Sequence, residues 1–495
     1  MSTPVLCPSA SDRLGFELMK PFRNGSLLTR RRFLGGLAAG GLAAAAAGAW
    51  FIRRSQPTAS LPDTNVIAAD VRAELLRAWT AYKALAWGHD ELRPVSGSFQ
   101  EFFVPGHPVG LTIIESLDTL YLMELDDELD RGVRWIEANL NLDIDAPFQV
   151  FETVIRMLGG LLAGHLATNN GALLAKSKEL ADRLLPAFSK SPTGMPYRFV
   201  NLHTGEVSQP ANFVAEIGTN VVELGTLTKL TGDGRYMDAA KQALKAVFDR
   251  RSPLDLIATT INVETGTWLN RVSVGPQPPV DSFYEYLLDG YHLFGDADLL
   301  SWFKTMTAAL QKHQWDSQFG HWWYQQVEFQ TGALVNYEES ELAAFWAGNL
   351  AEAGMQNEAD QFLDSFKSAL DRYGIFPEQW DYSDMSIGDP GHQLRPEYAD
   401  ACLAMFITSG GSQRYRERAY QLYQAMKKNC RVQNGFSIIK DITTRPMTLG
   451  DLTPAYWFSE NMKYYYLLFS NTPRFDYRNH YLSTEGKVLT GLKHA

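Results

Sequence analysis

From about residue 70 to the end of the chain, apolar residues recur at i, i+3, i+4 and i+7, with Gly, Pro or Asn between one such segment and the next. That period belongs to helices with one face turned to a core. The pattern predicts fourteen helices, over 70–86, 113–124, 128–140, 149–168, 171–188, 211–230, 234–250, 281–295, 297–313, 339–354, 357–373, 396–408, 412–430 and 454–470. They alternate in character. Every even-numbered one is apolar nearly all round, as in Phe151 to Leu166, whereas the odd ones carry a single apolar stripe and a charged face, as in Asp238 to Lys245. A helix apolar on all sides is buried, and a striped one covers it.

The repeating unit is therefore a helical hairpin, with even helices starting at intervals of roughly 36 to 70 residues. Seven such hairpins make either an open solenoid or a closed ring. Long irregular loops such as 189–210 and 251–280 suit a ring with one elaborated face. Tyr481 to Leu489 departs from the pattern and reads as strand and turn, a tail with a separate task.

Composition changes the picture at the N-terminus. Residues 1–54 carry eight Lys and Arg against Asp12 and Glu17, while the whole chain has a net charge of -11. Arg30-Arg31-Arg32-Phe33-Leu34 precedes a Gly/Ala-rich apolar run, the arrangement of an export signal, and the paired arginines resemble the twin-arginine signal of bacteria. The reading is thus 1–54 export signal, 55–69 linker and 70–495 a single catalytic domain, with a periplasmic or secreted location. Membrane contact is then expected only through an uncleaved signal. The acidic balance of the rest speaks against a nucleic-acid partner. With Cys7 in the signal, Cys402 and Cys430 leave at most one disulfide, so the fold must rest on its core.

Candidate chemistry gathers at the starts of the even helices. Glu115 and Asp118, Glu152, Glu216, Asp281 and Glu285, Glu339 and Glu341, Glu397 and Glu460 lie at or near them. One acid in a first turn is ordinary, because it complements the helix dipole. A succession on buried helices would open on one end of a central cavity. Phe151, Phe213, Phe283, Tyr284, Tyr398, Tyr456 and Trp457 accompany the acids, and about half of these aromatics are expected to be core. Carboxylates with aromatic walls suit a polyhydroxylated ligand, together with a hard cation. Glu152 and Arg156 are spaced to pair on one helix. Arg395-Pro396-Glu397 sets Glu397 beside free backbone donors, which favour its ionised form and a role as general base.

Several strings carry a resemblance: Trp87 to Pro94, Glu115 to Leu120, Val150 to Leu162, Ala215 to Thr219, Asp281 to Leu288, Leu394 to Glu397, Glu460 to Tyr464 and Ser483-Thr484-Glu485. In that order they resemble glycoside hydrolase family 47, the class I α-1,2-mannosidases, over nearly all of 70–495. The resemblance implies an all-α (αα)7 barrel with a short C-terminal β element reaching into it. It implies a Ca2+-dependent exo-enzyme that removes terminal α-1,2-linked mannose from oligosaccharides or glycans with inversion. By position, Glu152 matches the proposed acid, Asp281 the other carboxylate debated for that role, and Glu397 the base. Inversion leaves room for a water, so acid and base carboxyls are expected roughly 6.5–9.5 Å apart. Thr484 matches the direct Ca2+ ligand. Arg156, Glu216, Arg395, Tyr456, Glu460 and Glu485 are implied to hold sugar or ordered water.

The chain also departs from that pattern. Ser340-Glu341-Leu342-Ala343-Ala344-Phe345 stands where the family commonly has Asp-His-Leu-x-Cys-Phe, so Cys430 is expected as a free buried thiol. Pro279 replaces an arginine that contacts glycan beyond the terminal sugar, so branch preference does not carry over. A non-catalytic mannose-binding protein on the same fold is the alternative, and another helical-toroid sugar enzyme, such as an epimerase, is a further one.

Overall fold

The computed structural model describes residues 61–494. The chain divides into units 1–62 and 63–495; the expected export segment and Cys7 lie outside the described residues. The second unit holds fourteen helices. Seven form an inner ring: Leu111–Leu122, Val150–Thr168, 214–231, Asp281–Phe294, 341–352, Glu397–Thr408 and 457–469. Each packs on the next, and 457–469 returns to Leu111–Leu122, so the ring is closed. The alternation read from the sequence is the alternation of inner and outer helices. All twelve residues of Leu111–Leu122 are buried, whereas Asp126–Asn139 buries only Leu129, Gly132, Val133 and Ile136. Each Leu or Ile sealed between the rings contributes about 1.5–3 kcal/mol, so ring closure is driven by apolar area.

Gly160 permits tight packing between neighbouring inner helices. A Cβ on Gly160 would lie 2.7 Å from the Ile114 carbonyl oxygen.

Boundaries agree to within a few residues except at the first helix, which runs Thr64–Leu85 rather than from 70. Asp63 caps it by accepting from the Asn65 N–H, so residues 64–69, read as linker, are already helical. The long loops are also more regular than expected. They fold into small antiparallel sheets, and strands Pro147–Gln149, Ala211–Phe213 and Glu338–Ser340 each lead directly into an inner helix. The sheets therefore build the rim around the inner-helix N-termini, the elaborated face the loop lengths implied. Cys402 and Cys430 are both free and buried.

The tail is the β element the sequence suggested. Strands Tyr481–Leu482 and Val488–Thr490 pair antiparallel, with residues 483–487 as the loop between them. It enters the ring because buried charges hold it there. Asp118 accepts from Lys463 Nζ at 2.6 Å and from the Val488 N–H at 2.9 Å. Lys487 Nζ meets Glu115 Oε1 at 3.1 Å, and neither side chain is exposed. Gly486 turns the loop at φ +64°, where a Cβ would also strike the Tyr464 hydroxyl at 2.8 Å.

Candidate active site

The inner-helix N-termini and the hairpin tip converge on one acidic, aromatic pit. Two inner helices are locally unwound there: Thr153–Leu158 and Trp457–Asn461 are π-helical turns. The first follows Glu152 and contains Arg156, and the second contains Glu460. Such turns re-aim side chains that a regular helix would direct elsewhere, and they recur at functional sites.

Arg156 organises one side of the pit. Its Nε donates to Glu152 Oε2 and its Nη1 to Glu485 Oε2, both at 2.6 Å. Its guanidinium lies over the rings of Phe102 and Tyr456, at 5.2 and 5.5 Å from their centroids. Arg395 organises the other side. It donates to Glu378 Oε2 at 3.0 Å and lies 5.8 Å from the same Tyr456 ring. Tyr456 is fixed in turn by donating its hydroxyl to the Gln393 carbonyl at 2.6 Å. Glu216 takes a two-pronged contact from Arg198, at 2.9 and 3.0 Å, and a third hydrogen bond from Gln149. Bidentate guanidinium contacts fix orientation as well as charge.

The carboxyls bear on one another electrostatically, which marks them as one group. Burial raises Asp281 to about 6; Ser282 and Arg395 oppose the rise, and the charge of Glu152 adds to it. Glu485 is pushed up to about 7 by burial and nearby acids against the pull of Arg156. Burial also raises Glu216, even with Arg198 against it, and holds Glu460 well above the usual range.

Glu397 corrects an expectation. Backbone donors at the helix start do favour its ionised form, but burial outweighs them and Arg395 together, and the carboxyl sits well above the usual carboxylate range.

All the residues singled out for this site come together: Glu152, Arg156, Glu216, Asp281, Arg395, Glu397, Tyr456, Glu460, Thr484 and Glu485. Other acids of the succession are used elsewhere. Glu115 and Asp118 anchor the tail, Glu339 is fully buried, and Glu341 pairs with buried His392 at 3.1 Å behind the wall. Phe283, Tyr284, Tyr398 and Trp457 are core, while Phe151, Phe213 and Tyr456 are only half-buried.

Three residues that shape the pit were missed as individuals. Glu91 is buried, accepts from Gln100 and from the Ala455 N–H, and is raised to about 7 by burial against the pull of Arg156. It lay within the quoted string Trp87 to Pro94. Glu378 and Arg198 stand on the rim segments, and nothing in the spacing of the sequence singles them out.

Thr484 and its surroundings fit a hard cation. Thr484 is half-buried at the hairpin tip, close enough to the Glu285 carboxyl to oppose the rise that burial gives it. Oε2 of Glu285 and Oε2 of Glu397 are buried without a hydrogen-bond partner. A hydroxyl beside the Glu285 carboxylate offers oxygen donors, the chemistry a hard cation prefers. A separate group that could hold a metal, Asp289, His292 and Glu352, lies toward the other end of the ring.

Known proteins share this fold and much of this sequence. The fold is similar to that of an alpha-1,2-mannosidase from Trichoderma reesei, with TM-score 0.77 and 24% identity over 87% of this chain and 99% of that one. The sequence is 33% identical to Alpha-mannosidase I MNS5 of Arabidopsis thaliana over 449 residues, covering 85% of this chain and 76% of the relative. It is 30% identical to mouse (Mus musculus) Mannosyl-oligosaccharide 1,2-alpha-mannosidase IB over 451 residues, 86% of this chain and 69% of that one. The family model for glycosyl hydrolase family 47 matches residues 74–491. With its barrel, its ring of carboxyls and this match over most of its length, the chain belongs to glycosyl hydrolase family 47 and is a glycoside hydrolase.

Proposed function

We propose that the enzyme is an exo-acting α-1,2-mannosidase that works with inversion and binds Ca2+ at Thr484. The observation that carries this reading is the convergence of Glu152, Asp281 and Glu397 on one pit walled by Tyr456 and floored by the hairpin tip. The Tyr456 ring offers a flat face to a sugar, and Arg156 and Arg395 set its angle. Asp281 holds the proton for the leaving oxygen, since burial raises its carboxyl to about 6 and the neighbouring Glu152 charge helps keep it protonated. Glu152, tied to Arg156, keeps that charge in place. Glu397 takes the proton of the attacking water once it is itself ionised, a form that burial disfavours and Arg395 favours. Thr484 would hold the cation, which supplies positive charge among the carboxyls and binding positions for sugar hydroxyls.

The test is to follow hydrolysis of α-1,2-mannobiose by NMR. Early release of β-mannose is expected, together with loss of turnover in EDTA and its return with Ca2+. Early α-mannose would contradict inversion, undiminished turnover in EDTA would contradict the cation, and no release at all would favour a binding protein.

The pH profile gives a second prediction. Asp281 works while protonated, so its ionisation is expected to lower kcat/KM roughly tenfold per unit as pH rises above about 6. Glu397 works ionised, so its raised carboxyl moves the acid-side limb upward. Asp281→Asn should remove the alkaline limb and lower the plateau by about 10²–10⁴-fold. An unchanged alkaline limb in the variant would reassign the proton to Glu152.

A further inference from the structure

The inner helix Asp281–Phe294 carries chemistry at both ends. Asp281 and Glu285 serve the pit. Asp289 and His292 lie farther along, three residues apart and so on one face of the helix. The neighbouring inner helix Trp346–Glu352 ends at Glu352. One side-chain donor atom from each of Asp289, His292 and Glu352 lies within 4.8 Å of the other two.

Asp289 points to a ligand independently of that grouping. Its side chain is only 2% exposed, and its Oδ2 is buried without a hydrogen-bond partner. The charges that bear on it most are those of Glu352, Asp400 and Glu223, all of them acids, and the Tyr481 hydroxyl nearby is neutral and brings no positive charge. A buried carboxylate among acids is costly unless something positive meets it. Both helices end beside the cluster, and the free carbonyls of helix C-termini add further negative potential. His292 and Glu352 are exposed, so an ion has a route in and two of its ligands are free to adjust.

We propose that Asp289, His292 and Glu352 form a second metal site, for a borderline divalent ion such as Zn2+, that clips the two inner helices together at the end of the ring away from the pit. The donor set separates it from the Thr484 site. One imidazole with two carboxylates suits Zn2+ and its transition-metal neighbours, whereas the oxygen donors at Thr484 suit Ca2+. Ligands on a tetrahedral Zn2+ at roughly 2.0–2.1 Å stand about 3.3 Å apart, an approach that exposed His292 and Glu352 can make by turning their side chains. The inference does not depend on the proposed mannosidase activity.

The test uses the full chain, stripped with chelator, returned to excess Ca2+ and titrated with ZnCl2 by calorimetry. One Zn2+ per chain is expected in the presence of Ca2+, with a melting temperature raised by about a few degrees. Co2+ in place of Zn2+ should give visible absorption bands from a nitrogen-containing site. His292→Ala and Glu352→Gln should each weaken binding at least tenfold and remove the Co2+ bands, with Ca2+-dependent turnover unchanged. Because both positions are exposed, two variants guard against a folding defect in one of them. Absence of Zn2+ binding in the wild type would overturn the proposal, as would equal binding in the wild type and a folded variant.

Discussion

Glu397→Gln is expected to lower kcat for mannoside hydrolysis by about 10²–10⁴-fold while leaving binding of an uncleaved disaccharide nearly intact. The substitution keeps the size of the side chain and its capacity for hydrogen bonds, and removes only the ability to take a proton. Glu397 starts the helix Glu397–Thr408, with Arg395 just before it and one carboxylate oxygen buried without a partner. A residue that merely bound the sugar would instead raise KM on substitution, because it would contribute equally to ground state and transition state. Steady-state kinetics and calorimetry with a non-hydrolysed analogue distinguish the two. A kcat within tenfold of wild type would remove Glu397 from the role of base.

Asp118→Ala carries the second large effect, on stability. Asp118 is 1% exposed and meets both the Lys463 ammonium and the Val488 N–H. Its removal leaves Lys463 buried and uncompensated and frees one strand of the tail, which should cost about 3–5 kcal/mol. Denaturant titration reads that loss. The double variant Asp118→Leu with Lys463→Met should recover part of the stability, since matched apolar replacements avoid the stranded charge. Turnover should not recover with it, because the hairpin that presents Thr484 and Glu485 still lacks its anchor at Val488. A loss below about 1 kcal/mol in the single variant would mean that Asp118 does not anchor the tail.

The barrel was legible because its two rings leave different hydrophobic periods in the chain. Leu111–Leu122 is apolar on every side and Asp126–Asn139 on one, and that contrast recurs through the later hairpins. The pit was legible because acids repeat at the starts of buried helices, where one alone would have meant little. What escaped notice depends on contacts distant in sequence. Arg198 and Glu378 act by reaching across from rim segments to Glu216 and Arg395, and no local pattern records such a partner. The π-helical turns at 153–158 and 457–461 leave the apolar pattern intact while changing where Arg156 and Glu460 point. The state of Glu397 was misjudged for a related reason. Adjacent residues report its backbone donors, whereas its burial is set by the whole ring.

The seam of the ring has a consequence for how the protein matures. Leu111–Leu122 closes against 457–469, and Lys463 finds Asp118 across 345 residues of sequence. The hairpin that completes the pit comes later still, at 481–490. A ribosome therefore delivers those 345 further residues before the first inner helix can meet its last neighbour. Nascent chains should remain catalytically silent until the hairpin at 481–490 has emerged, and the closing step should be slow, as contacts between distant segments generally are.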